Sequence, residues 1–360
     1  MSLSRRRLLQ TLAAAPAAAC FGRASGVKIG MDSYTLRGFR WKALELIDYA
    51  AKVGLDELHF SEWPHIGSYD EVRDESYLRR VRAYADQKGV RLEMGTWGIC
   101  PTNPGFKNKA QYGTAEEQLR FSIGIAKIFG SKAIRCVIGS GNLRREDGPI
   151  EKHIEATLQV FRNVRDDALR AGVHLAPENH KDLRATEMRE LVEAAGTDYV
   201  GVTLDTGNPL EVLEDPLETV EILGPLAVGS HFRDGVLFEH PRGAAYQWTA
   251  LGDGSVRIAE VIRRYIELAP GKPLALEIIT GRQPAVLAFR DEEYMKAFPK
   301  LTPAELERFE KLARQGHPLM AGMMIPSNDP ENPVFAEAVK EQQRVDFERS
   351  LRFLRDEIGL

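Results

Sequence analysis

A chain of 360 residues, 43% hydrophobic and 28% charged, with 31 Gly and 19 Pro, is long enough for one large α/β domain or two of medium size. That composition excludes collagenous, disulfide-stapled and wholly disordered chains. The charge argues against a nucleic-acid partner, because 48 Lys+Arg against 52 Asp+Glu leave −4 and no global basic field.

The charge is unevenly placed. Residues 1–25 hold Arg5, Arg6, Arg7 and Arg23 and no acid. Removing those four from the 48 basic residues leaves 44 against 52 acids in residues 26–360, net −8. The segment Ser4-Arg5-Arg6-Arg7-Leu8-Leu9-Gln10 resembles a twin-arginine export signal. The weakly apolar run Leu12–Phe21, with small residues at Ala17–Ala19, completes that layout. The run is too short to cross a membrane, so the processed chain is expected to have no transmembrane span and to be exported to the periplasm. Cleavage is expected after Ala19 or Ala24. Ala17-Ala18-Ala19-Cys20 is a poor lipobox, and anchoring at Cys20 is not expected. Beyond the signal only Cys100 and Cys136 remain, without the spacing of a metal site or a disulfide framework. Both read as small buried hydrophobes.

From residue 27 the chain alternates short β-rich runs with longer helical ones. The strands are expected at Val27–Met31, Leu55–Phe60, Val90–Gly95, Ala133–Ile138, Val173–Pro177, Val200–Asp205, Ala227–Phe232 and Pro273–Ile278. Continuous apolar runs of this kind suit parallel strands covered on both faces. Helical spacing marks the segments between them: Leu44, Ile47 and Ala51 in the first; Ile150, Ile154, Leu158, Phe161 and Val164 in the fourth; Ile258, Val261, Ile262, Tyr265 and Ile266 in the seventh. Eight strand–helix repeats are the sequence form of a (β/α)₈ barrel. A doubly wound sheet is the competitor, but the first β-to-α turn has no G-x-G-x-x-G and no P-loop occurs.

The rhythm breaks after the eighth strand. Residues 282–332 form an insertion in the 26–360 barrel domain. It contains a helix that opens on the capping box Thr302-Pro303-Ala304-Glu305 and runs to about Gln315. A Gly/Pro/Met-rich stretch, Gly316–Pro333, follows, its Met320, Met323 and Met324 read as packing. The closing helix carries Phe347, Leu351, Leu354 and Ile358. An insertion at this point lies on the catalytic face of a barrel, as a lid or as a contact in a homo-oligomer.

Four polar residues stand where strands five to eight end: Glu178, Asp205, His231 and Glu277. Each follows an apolar strand and would emerge at the carboxyl-end mouth. Singly, each also reads as a helix cap, a loop carboxylate or a core histidine. Together, three carboxylates and an imidazole suit Mn²⁺, Mg²⁺ or Co²⁺, with Zn²⁺ as an alternative. Without a cation the carboxylates would repel, and at least one would need a raised pKa.

These residues carry a resemblance. The segments Glu178-Asn179-His180, Val202-Thr203-Leu204-Asp205-Thr206-Gly207-Asn208, Ser230-His231 and Glu277 resemble the xylose isomerase-like TIM-barrel superfamily, in its sugar phosphate isomerase/epimerase branch with the ketose 3-epimerases. Leu251-Gly252-Asp253-Gly254 is similar to that branch's L-G-x-G segment. The resemblance spans roughly residues 27–281 and the final helix. It implies one divalent cation, Mn²⁺ first among the candidates, held by Glu178, Asp205, His231 and Glu277. It also implies that Glu178 and Glu277 face each other across the substrate and shuttle a proton through an enediolate. Two departures stand out. Asn208 replaces the ketose 3-epimerases' substrate-binding His, and their Arg beyond the metal His has only Arg233 as a near match.

Further substrate contacts are expected from His180, two residues after Glu178 on the same face by strand alternation, and from Trp63, His65 and Trp97 after strands two and three. Trp248 is a further aromatic of this kind, and each aromatic also suits simple packing. Gly139-Ser140-Gly141-Asn142 is a weak phosphate loop, lacking a Lys. The expected activity is a metal-dependent isomerase or epimerase acting on a small carbohydrate. A lyase working by β-elimination on a keto-sugar or oxidised glycoside is the runner-up, and a non-catalytic carbohydrate-binding barrel is the third reading. An AP-endonuclease relationship fits less well, because that branch uses three zinc ions and more histidines, and the acidic chain disfavours DNA.

Overall fold

The computed structural model describes residues 26–319 and 333–360, apart from 105, 107, 108 and 140. The export signal, Cys20, and Met320, Met323 and Met324 of the methionine-rich stretch lie outside the described residues.

All eight expected strands form. They are β1 (Ile29–Asp32), β2 (Glu57–Phe60), β3 (Arg91–Gly98), β4 (Ala133–Val137), β5 (His174–Pro177), β6 (Val202–Asp205), β7 (Ala227–His231) and β10 (Leu274–Leu276). Parallel pairing runs β10-β1-β2-β3-β4-β5 and β6-β7. Single parallel bridges, Glu178 to Thr203 and Phe232 to Leu276, close the ring. The fold is a (β/α)₈ barrel. Its strands are short and buried on both faces, which is why they read as uninterrupted apolar runs.

The helices carry the expected stripes with one correction. In α1 (Ala43–Lys52) the buried residues are Ala43, Leu46, Ile47, Tyr49 and Ala50, whereas Leu44 is 46% exposed. Positions 43, 46, 47 and 50 form an i, i+3, i+4, i+7 face, and Leu44 lies a quarter turn off it. The capping box at Thr302 forms: Thr302 Oγ1 accepts from Glu305 N at 3.3 Å, and Glu305 Oε2 accepts from Thr302 N at 2.8 Å. Cys100 and Cys136 are buried and unpaired with each other.

One element was not expected. After β7 the chain makes an antiparallel hairpin, β8 (Asp234–His240) and β9 (Gly243–Thr249), and β11 (Ala285–Leu287) of the insertion adds to β9. The insertion helix α2 (Pro303–Gln315) packs on this sheet through Phe309 and Leu312. Together they make a second apolar cluster, with Tyr246, Trp248, Leu287 and Phe298, apart from the barrel core. The insertion thus builds one wall of the carboxyl-end face.

The L-G-D-G segment now has a physical reason. Buried Asp234 accepts from the backbone N–H groups of Gly235, Gly252 and Gly254 at 2.7, 2.9 and 3.1 Å. Gly252 has φ +90°, and a Cβ at Gly254 would stand 1.8 Å from Asp234 Oδ1. Gly254→Ala is therefore expected to cost about 2 kcal/mol or more, because the side chain that holds three N–H groups must move. Thermal denaturation of the variant checks this, and an unchanged Tm would contradict it.

Candidate active site and metal centre

The four expected ligands converge. Glu178, Asp205, His231 and Glu277 each offer a donor atom, and these atoms all lie within 4.8 Å of one another, in a buried cluster. Backbone pairing sets them there: Asp205 and His231 are the last residues of β6 and β7, Glu178 and Glu277 the first after β5 and β10. Asn179 locks the register, because its side chain donates to Asp205 O at 2.9 Å and accepts from Asp205 N at 2.8 Å.

Two arginines stand among these acids. Arg135, from the middle of β4, donates from Nε to Glu178 Oε2 at 2.5 Å. Arg233 donates to Glu277 Oε2, and its Nη2 lies 3.4 Å from Glu178 Oε1. Its Nε is 2.8 Å from Asp205 Oδ2, out of line for a hydrogen bond. Asn208 bridges the two sides, giving its amide N–H to Glu178 Oε1 at 2.8 Å and accepting from Arg233 Nη1 at 3.3 Å.

His231 is gripped from behind. Its Nε2 is 3.0 Å from His59 Nδ1 and 3.3 Å from Asp32 Oδ2. Its Nδ1 faces Glu178 Oε2 and Glu277 Oε2, 3.5 Å from each. A ring held at one nitrogen while the other points at carboxylates is how metal-ligating imidazoles are oriented.

The donor set fits a divalent cation. Asp205 Oδ2 and His231 Nδ1 are buried and make no hydrogen bond, so both carry unused donor capacity. Four buried carboxylates, counting Asp32, face only two guanidiniums. The protein answers with protons. Burial works against a charged His231, but Glu277 and Glu178 outweigh it and raise its pKa to about 10. Burial lifts Asp205 to about 7 against the pull of Arg233. Burial also opposes ionised Glu178, yet Arg135 and His231 hold it well below the usual carboxylate range.

A pH dependence follows. Below their raised pKa values His231 and Asp205 bind protons that a cation must displace, so affinity rises with pH. The His231 proton contributes about tenfold per pH unit and the Asp205 proton about tenfold in all across its titration, so Mn²⁺ should bind about 1,000-fold tighter at pH 8 than at pH 6. Calorimetry in buffers of different ionisation heat would read the released protons, and a flat affinity would contradict the assignment.

Above the cluster opens a cleft of about 680 Å³. Trp97, His180, Arg233 and Trp248 line it, as does the rim pair Lys181 and Glu211, 2.5 Å apart. Tyr246 donates its hydroxyl to Glu211. His180 Nδ1 donates to Gly139 O at 2.8 Å, its ring stands edge-on to Trp97, and burial lowers its pKa to about 4, so it is neutral. Trp97 sits where the β3–β4 register shifts, a kink of the kind that re-aims a side chain.

Trp63 and His65 go elsewhere. Trp63 packs edge-on against Tyr69, and His65 Nδ1 is 2.5 Å from Ser33 Oγ; their neighbours Ser61 and Glu62 line the cleft instead. The short helical turn Trp63–His65 carries both away from the mouth. The Gly139 N–H is already given to Asp182 at 2.7 Å, so a carboxylate sits where a phosphate loop would need a free donor.

Sequence reasoning missed Asp32, His59, Arg135 and the Lys181–Glu211–Tyr246 group. Asp32 ends β1 as Asp205 ends β6, so the same strand-end rule would have found it. A charged residue inside Ala-Ile-Arg-Cys-Val marked Arg135. Lys181, a non-glycine at φ +68°, carried no sequence signal.

Comparison with known proteins agrees with this fold. The chain is 21% identical over 213 residues to YihM of Escherichia coli, covering 56% of this chain and 63% of that protein, so the match spans less than two thirds of its length. It is 21% identical over 238 residues to the 3-oxo-isoapionate decarboxylase of Pectobacterium atrosepticum, covering 63% of this chain and 76% of that one. A crystal structure of D-psicose 3-epimerase in the presence of D-fructose superposes with a TM-score of 0.55, at 14% identity, over 92% of this chain and all of the other. At such identity the likeness speaks for the fold. The family model for xylose isomerase-like TIM barrels matches residues 47–315. With that match lying on a closed ring of parallel strands, the chain belongs to the xylose isomerase-like TIM barrel family.

Proposed function

We propose that the protein is a divalent-cation-dependent isomerase or epimerase of a small sugar or related ketose, acting by proton abstraction beside a carbonyl. The observation that carries this is the pair Glu178 and Glu277, each 3.5 Å from the same buried imidazole nitrogen, beneath an aromatic-walled cleft. Binding a sugar needs no such pair of acids.

A cation held by Glu178, Asp205, His231 and Glu277 supplies polarisation of a carbonyl and its neighbouring hydroxyl, which acidifies the shared C–H. The chain's own groups do the rest. Arg135 and Asn208 fix both oxygens of Glu178, and Arg135 with His231 keeps it ionised. Glu277, 3.5 Å from the same His231 nitrogen, would return a proton from the opposite face and so invert the carbon. Asp32 and His59 hold His231 in one orientation. Trp97 and Trp248 exclude water and offer faces to the sugar's C–H surface.

A lyase is the second reading, favoured by the Tyr246 hydroxyl bonded to Glu211 in the cleft wall, a proton donor for a departing group. The similarity to a decarboxylase points the same way, since loss of a carboxyl group beside a ketone also passes through an enolate. Incubation with keto- and aldo-sugars, including 3-keto glycosides, in D₂O with Mn²⁺ separates the two. Deuterium at carbon with interconversion of sugars supports the isomerase, fragment release supports the lyase, and neither result overturns both.

Export through a twin-arginine route is part of the same proposal and rests on Ser4-Arg5-Arg6-Arg7-Leu8-Leu9. Replacing Arg5, Arg6 and Arg7 by lysines should keep the protein in the cytoplasm, read by fractionation; unchanged export would contradict it.

A further inference from the structure

The positive charges that line the cleft are unequally matched. Arg135 is paired with Glu178, Arg233 with Asp205 and Glu277, and Lys181 with Glu211. Arg282 differs. It lines the mouth, is exposed, reaches Tyr34 Oη at 3.4 Å, and has no carboxylate in ion-pair range among the described residues. Behind it stands Arg37, half-buried, with its guanidinium carbon 4.5 Å over the Tyr34 ring. Arg37 donates only to backbone carbonyls among the described residues, Tyr34 O at 3.2 Å and Thr280 O at 3.4 Å. Burial lowers its pKa, and the guanidiniums of Arg282 and Arg233 depress it further, so these cations feel one another. Glu277, the acid within their reach, already carries Arg233.

Two guanidiniums without carboxylate partners, gathered around one tyrosine at the mouth of a cleft, contrast with a chain whose residues 26–360 carry excess acid. Folding gains nothing from that repulsion; an arriving anion does. We propose that the substrate carries an oxyanion, a carboxylate or a phosphate, that docks on the Arg282 guanidinium and the Tyr34 hydroxyl in the field of Arg37. Guanidinium groups bind both anions through paired, charge-assisted hydrogen bonds. The site rests on the proposed function in one respect, that the cleft is where the substrate binds. It narrows the substrate from sugars in general to acidic ones, with the reacting carbonyl toward Glu178 and Glu277.

Calorimetric titration of the Mn²⁺-loaded protein with D-glucuronate, D-glucose 6-phosphate and D-glucose tests it. One charged sugar should bind at least about tenfold tighter than D-glucose, with the gap shrinking as NaCl rises. Which charged sugar is preferred tells carboxylate from phosphate. Arg282→Gln should cut the preference to about threefold or less, while Arg282→Lys keeps part of it. Equal affinities, absent binding, or an unchanged preference in R282Q would overturn the proposal. The readout is equilibrium binding, so it is separable from turnover. A protein that prefers the anion but exchanges no C–H keeps this site and loses the isomerase reading. Exchange of neutral sugars without an anion preference does the reverse.

Discussion

Glu178→Gln should lower the exchange of substrate C–H with D₂O by at least about 10³-fold, the range expected when a positioned acid–base group is removed. The substitution keeps the shape and keeps an oxygen for the Asn208 amide, 2.8 Å from Oε1. It replaces the carboxylate oxygen that meets Arg135 Nε at 2.5 Å, so two donors can then face each other there. Both the proton acceptor and one cation ligand go at once. Mn²⁺ titration of the variant separates the two losses: at saturating Mn²⁺ the exchange defect should persist. Exchange within about tenfold of the native rate at saturating Mn²⁺ would sink the assigned role.

Arg135→Met carries the largest expected effect on stability. Its side chain is 3% exposed and pairs with Glu178, which is fully buried. Removing one partner of such a pair leaves an uncompensated buried charge and costs about 3–5 kcal/mol, or roughly 6 °C in Tm for a domain of this size. The methionine fills much of the volume, so packing against Trp97, now 5.4 Å beneath the guanidinium, is largely retained. Added Mn²⁺ should recover part of the loss, because a cation among the same carboxylates restores positive charge. A Tm within about 2 °C of native would contradict the ledger of charges drawn for this site. A large drop that Mn²⁺ leaves unrelieved would contradict the placement of the cation.

The barrel was legible because its strands are buried on both faces and announce themselves as apolar runs. All eight lie within a few residues of their expected positions. Glu178, Asp205, His231 and Glu277 were legible for the same reason: a polar side chain ending an apolar run has few places to go. Asp32, the last residue of β1, obeys that logic too, whereas Arg135 stands inside its run and is marked only by its charge. The β8–β9 hairpin was hidden by its place inside an expected β-to-α connection, although His240-Pro241-Arg242-Gly243 marks its turn. Leu44 shows the limit of periodicity, since a run of neighbouring apolar residues fits two faces and only packing chooses. Trp63 and His65 show another, because residues just past a strand end can follow the chain away from the mouth.

The hairpin has a consequence for how such an enzyme diversifies. Tyr246 and Trp248 ride on β9, which is held by β8 on one side and β11 on the other, over an apolar cluster of its own. The acids and the imidazole ride on the barrel strands. Part of the cleft's lining is therefore carried apart from the barrel strands. Mutations that reshape the three-stranded sheet can retune what fits against Trp248 while the barrel's charge lattice stays intact. A lineage can thus change its diet without reinventing its reaction.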